Sequence, residues 1–198
     1  MTERLDFLNR NMLPIVHDKR VWDFCCGTGM NGVYALENGA QYVHFSDVRP
    51  ETFKNYTNGL ALDKDRYNWQ NINADDIRTS AVNDPYLDII IYHGHFYHAR
   101  NHYEIVNTLS NTRARYMCFE SKGSNSKDKT ITWHTENQKD KWWDTYELSN
   151  RENVMVGNPS IAWCRTVFTY FGWTILDETI MHRPDLGCYK WRFWMVKI

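Results

Sequence analysis

The residues able to do chemistry in this 198-residue chain sit where apolar runs end. Val21 to Asp23 is apolar up to its acid, and Cys25, Gly27, Thr28, Gly29 and Gly32 follow before a helical pattern begins. Glycines let the backbone turn with positive φ and let a ligand come close. The helix start that follows adds unpaired N–H groups and the positive end of a dipole. Three more polar points close apolar runs: Asp47-Val48, Asp75-Asp76, and Tyr92-His93 with Tyr97-His98 just beyond. In an open α/β sheet, ligands bind outside the carboxyl ends of the strands, where these residues are expected.

Each acid suits a different part of one ligand. A carboxylate at Asp47 can accept from both hydroxyls of a ribose. An acid at Asp75 or Asp76 suits an adenine amino group, with the choice between the two open. Asp23, just before the turn, suits an ammonium and would serve a pyrophosphate poorly. Together they describe an amino-acid nucleoside without phosphate, S-adenosylmethionine, held by Asp23, Cys25, Gly27, Thr28, Gly29, Asp47, Val48, Asp75 or Asp76, Tyr92 and His93. Methyl transfer from a sulfonium is an in-line displacement, for which positioning and desolvation suffice, aided by a base when the acceptor carries a proton. His98 is the first candidate base, with His93 and His95 behind it, Tyr97 orienting the acceptor and Glu120 facing the same cleft. Two further classes stay open. Gly27-Thr28-Gly29-Met30-Asn31-Gly32 fits G-x-G-x-x-G, the signature of an NAD-dependent oxidoreductase. A non-catalytic subunit that uses the fold to hold a partner is the other.

These residues need strands and helices to position them. Helices are expected at Thr2 to Met12, Met30 to Asn38, Pro50 to Leu62, Asn101 to Ser110, and from a cap at Asn158 with Pro159 in its first turn. Strands are expected at Val21 to Phe24, Tyr42 to Ser46, Trp69 to Ala74, Leu87 to Tyr92 and Tyr116 to Phe119. A hairpin of Trp173 to Ile180 and Tyr189 to Lys197 ends the pattern. The alternation predicts an α/β fold with a mostly parallel sheet covered by helices on both faces. Residues 121–152 break it. They are polar yet carry Trp133, Trp142 and Trp143, and are expected to form a lid or binding insertion in one domain spanning 1–198.

The series Asp23-Phe24-Cys25-Cys26-Gly27-Thr28-Gly29, then Asp47, Asp75-Asp76 and Leu87-Asp88-Ile89-Ile90-Ile91, resembles the class I (Rossmann-like) methyltransferases, which open on D-x-G-C-G-T-G. Cys25 stands where that pattern has its first glycine, tightening the pocket without removing it. The resemblance implies a seven-stranded sheet of order 3-2-1-4-5-7-6, with the last strand antiparallel, and S-adenosylmethionine as cofactor. A narrower likeness lies in Gly94-His95-Phe96-Tyr97-His98-Ala99-Arg100-Asn101, Phe119-Glu120-Ser121 and Asn153 to Ser160. These resemble segments of the tRNA wobble-uridine carboxymethyltransferase group and its methyltransferase relatives. The long N-terminal region of the carboxymethyl enzymes has no counterpart here, so ordinary methyl transfer is expected.

Composition narrows the partners. Net charge is −1, with 10 basic and 14 acidic residues in 1–112 against 13 and 10 in 113–198, which argues against extended phosphate contact. A small-molecule acceptor is expected, with RNA as the alternative. The five cysteines lack C-x-x-C spacing, so they predict no metal site and a reduced, cytoplasmic setting. No apolar run approaches a membrane span.

Overall fold

The computed structural model describes residues 2–74, 83–137 and 153–198. Among them the chain forms α1 (Thr2–Asn11), β1 (Arg20–Phe24), α2 (Met30–Glu37), β2 (Tyr42–Asp47), α3 (Pro50–Thr57), β3 (Tyr67–Asn71), β4 (Ile89–His93) and α4 (His102–Ser110). These are followed by β5 (Tyr116–Gly123), β6 (Ile131–Asn137), β7 (Asn153–Pro159), α5 (Ile161–Tyr170), β8 (Trp173–Arg183) and β9 (Cys188–Lys197).

Seven strands form one mixed sheet of order β3-β2-β1-β4-β5-β9-β8, and β6 and β7 pair only with each other. The first five run parallel; β9 runs antiparallel to both β5 and β8. The order therefore departs in detail from the expected 3-2-1-4-5-7-6. An unforeseen hairpin precedes the last two strands, which are β8 and β9. The first strand of that hairpin, ITWHTEN, is mostly polar, with Thr132, Trp133 and Thr135 exposed, so no apolar run announced it.

The sheet is buried on both faces at its centre. Every residue of β4 is buried, as expected of a parallel strand covered from both sides. One face packs Ile105, Val106 and Leu109 of α4 and Cys164, Val167 and Phe168 of α5. The other packs Phe7 and Leu8 of α1, Val33, Ala35 and Leu36 of α2, and Phe53 of α3. No described helix is long and apolar enough to cross a membrane.

Several boundaries differ from expectation for local reasons. The third helix stops at Thr57, short of Leu62, and Gly59 follows at φ +105°. β5 runs to Gly123 because β9 continues to pair with it, entering the stretch expected to be an insertion. The cap of α5 is Ser160, whose hydroxyl accepts from the Trp163 N–H at 3.1 Å, while Asn158 and Pro159 belong to β7.

Candidate active site

The turn between β1 and α2 is the sharpest piece of local geometry. Cys25, Gly27 and Gly29 all have positive φ, at 54°, 55° and 80°. Cys25 thus keeps the left-handed backbone of the glycine it replaces, at the steric cost that a Cβ brings there. A Cβ added at Gly27 would meet only Arg49 Nη2, at 3.8 Å, so this backbone lies open to a ligand. Gly29 is closed in, since a Cβ there would come within 2.8 Å of the Phe53 ring. Thr28 is exposed at the tip.

Both flanking acids are buried and held by backbone N–H groups. Asp23 accepts at Oδ2 from the Gly32 N–H (2.9 Å), within the first turn of α2. Burial pushes its carboxyl up to about 8, against the opposing effect of that bond. Asp47 accepts at Oδ2 from the Gly27 N–H (2.8 Å), which ties the end of β2 across the turn. Its Oδ1 accepts from the Arg49 N–H and Nε, each at 3.0 Å. Arg49, on the flank of Val48 and Asp47, is thus a neighbour of the candidate ribose position that the sequence reading missed. Asp75 and Asp76 lie outside the described residues.

The structure divides the candidate catalytic residues between the two faces of the sheet. Tyr92 is buried among Phe24, Phe96 and Phe119, and its hydroxyl lies 3.0 Å from His95 Nδ1. His95 in turn lies 6.5 Å, ring to ring, from His98, and the Tyr97 ring lies tilted 4.2 Å from that of His98. Tyr97 and His98 are both half-buried on a single 3-10 turn after β4. His93 points to the other face. Its Nε2 lies 3.1 Å from Cys118 Sγ, and its buried Nδ1 has no partner among the described residues. Burial drives its basicity down to about 3, aided by Arg4 and Arg192.

On that face Glu120 is the hub. It is fully buried and takes Arg192 Nε at 2.6 Å, Lys190 Nζ at 3.0 Å and the guanidinium of Arg4. Burial alone would raise its carboxyl, but the surrounding cations hold it far below the usual range. Burial also lowers Lys190. Arg4, Lys190 and Arg192 were absent from the candidates. One signal was present: YKWRFW at 189–194 alternates, placing Lys190 and Arg192 on one face of a strand that is otherwise apolar.

The β6–β7 hairpin roots beside the Tyr97–His98 turn. The Gly157 N–H donates to the Ala99 carbonyl (3.1 Å), and His102 Nε2 lies 2.9 Å from the Gly157 carbonyl. Trp133 is 48% exposed on the hairpin, 6.1 Å from the His102 ring. Trp142, Trp143, Lys139 and Lys141 lie outside the described residues. A separate cavity of about 590 Å³, lined by Arg20, Gln41, Asp88 and Arg113, opens at the opposite end of the strands, away from the glycine turn.

No family model matches the sequence, and no curated protein does. Solved structures do match the fold. An S-adenosylmethionine-dependent methyltransferase from Mesorhizobium loti superposes with a TM-score of 0.71 at 13% identity, over 97% of this chain and 96% of that one. The N-terminal domain of EvdMO1, determined in the presence of SAH and D-fucose, gives 0.71 at 12% identity, over 100% and 82%. Magnesium protoporphyrin IX methyltransferase from Synechocystis, with SAH bound, gives 0.66 at 13% identity, over 100% and 81%. These likenesses establish a Rossmann-like methyltransferase fold. They lend no support to the narrower resemblance to wobble-uridine carboxymethyltransferases.

Proposed function

We propose that this chain is a class I S-adenosylmethionine-dependent methyltransferase that acts on an oxygen or nitrogen of a small-molecule acceptor. The observation that carries this reading is the open turn at Gly27, bounded by the buried acids Asp23 and Asp47, in a fold shared with methyltransferases. The residues fit the donor. Gly27 offers bare backbone, and Asp47 is positioned for a ribose diol once the Arg49 side chain gives up its share of the carboxylate. Asp23, already bonded to the Gly32 N–H at the start of α2, leaves poor ground for a dinucleotide pyrophosphate.

When bound, the donor's sulfonium supplies an electrophilic methyl group. The protein's part is to hold the acceptor in line and dry, and to take a proton where the acceptor has one. His98 is the base in this reading, and Tyr97 beside it orients the acceptor. His93 is a poor base near neutral pH because burial resists its protonation, and it is turned to Cys118 on the other face of the sheet. The β6–β7 hairpin, rooted at Ala99, serves as the lid over this turn.

Calorimetry with S-adenosylmethionine and S-adenosylhomocysteine tests the reading. Saturable binding of both is expected, and absence of binding would overturn it. Asp47→Ala with unchanged affinity would overturn the assignment of the ribose ligand alone.

A further inference from the structure

Among the described residues the charge around Glu120 does not balance. One carboxylate meets Arg4, Lys190 and Arg192. Lys122 adds a fourth cation: it pairs with Lys190 across β5 and β9 in the register that sets Glu120 opposite Arg192. Side-chain exposure separates them into layers. Glu120 and Arg192 are sealed at 0% and 4%, while Arg4 and Lys190 keep 28% and 24%. Lys122 and Arg4 lie beside the segment that follows β4 and carries the candidate base. The Lys122 ammonium lies 4.2 Å from the Tyr97 ring centroid. Arg4 Nη2 lies 3.9 Å from where a Cβ of Gly94 would stand, directly after β4. The cluster therefore lies on β5 and β9, level with the carboxyl end of β4 and two to three strands over from the glycine turn after β1.

Half-buried like charges repel one another in a medium less polar than water. Among the described residues the sealed Glu120 offsets only one of them, while Lys122 reaches the Tyr97 ring and Arg4 reaches Gly94. We propose that Arg4, Lys122 and Lys190 form the acceptor subsite and that the acceptor carries a carboxylate, held apart from its methyl-accepting atom. This rests on the methyl-transfer reading. A planar carboxylate matches the two-pronged donor face of a guanidinium, with an ammonium closing the other side. A cationic acceptor would add to the positive charge gathered there, and a neutral one would leave the surplus among the described residues uncompensated.

Three probes of one shape decide it: benzoate, benzamide and benzylamine, titrated by calorimetry into the full chain with and without saturating S-adenosylhomocysteine. Benzoate is expected to bind at least about tenfold more tightly than benzamide, with benzylamine weakest. Lys190→Gln and Arg4→Gln are each expected to weaken benzoate about tenfold, and Lys122→Gln, at a half-exposed site, gives a third variant should either fail to fold. Equal binding of benzoate and benzamide, or benzoate affinity indifferent to all three variants, overturns the subsite while S-adenosylhomocysteine binding leaves the donor reading intact. Preserved preference for benzoate in a chain that does not bind S-adenosylhomocysteine upholds the anion site and removes the donor reading instead. Inorganic phosphate binding more tightly than benzoate would overturn the carboxylate assignment.

Discussion

Asp23 and Asp47 beside the glycine turn and Glu120 on β5 are all buried acids, yet they are held by different means. The first two accept from amides of the turn they flank, 9 and 20 residues away in sequence. Glu120 is held by side chains 116 and 72 residues away, from α1 and β9. The proposed donor half is thus a local device, set once the β1 turn folds. The proposed acceptor half exists only when the first helix and the last strand have both docked. Backbone donors come at fixed positions with every turn, whereas guanidinium and ammonium groups bring full charges that must be offset.

That contrast can be broken most forcefully at Glu120. Glu120→Ala leaves three cations without their shared partner and is expected to cost about 3–5 kcal/mol in urea unfolding. A loss below about 1 kcal/mol would show that the cations do not depend on it. Asp47→Ala removes the acceptor for the Gly27 amide and is expected to cost less, about 1–3 kcal/mol, because that amide stays near water. If Asp47→Ala proved the costlier of the two, the local half would be the less robust one.

The two halves also predict opposite pH dependence. Folded Asp23 keeps its proton to about 8, whereas the unfolded residue loses it near 3.8. The folded state binds more protons across that window, so this contribution falls as pH rises through it. Glu120, held below its ordinary 4.5, contributes stability above that value and loses it as pH falls further. Melting temperatures should therefore decline from about pH 5 to about pH 8, and Asp23→Asn should flatten the decline. An unchanged slope would exclude Asp23 as its source.

The smallest effect is expected at Cys25. Cys25→Gly removes a Cβ from a left-handed position and should stabilise the chain by about 1 kcal/mol, raising the melting temperature by roughly 2–4 °C. A fall instead would mean that the thiol packs more favourably than its backbone is strained.

What the sequence made legible follows the same division. The turn, its acids and the sheet alternation were readable because glycines, apolar runs and strand-end acids lie close together along the chain. Arg4, Lys190 and Arg192 were not, because their meaning depends on the pairing of β5 with β9 and on α1 lying over Glu120. His93 was grouped with His98 by proximity in sequence, but strand alternation sends residues 92 and 93 to opposite faces. The cap at Ser160 was displaced to Asn158 because Pro159, read as a first helical residue, ends a strand that only tertiary pairing with β6 creates.

Gly157 links shape to timing. A methyl there would fall 2.6 Å from Ile131 Cγ2 and 2.7 Å from His102 Cε1, so the hairpin base and the start of α4 fit only around a bare backbone. The two hydrogen bonds at this residue tie the hairpin to Ala99, at the end of the turn bearing His98, and to His102, at the start of α4, as one mechanical unit. Motion of the hairpin must then break those bonds or carry the turn with it. Such openings in enzymes run from microseconds to milliseconds, slow enough to set the pace of product departure. A residue that touches neither donor nor acceptor would then act as the clock of turnover.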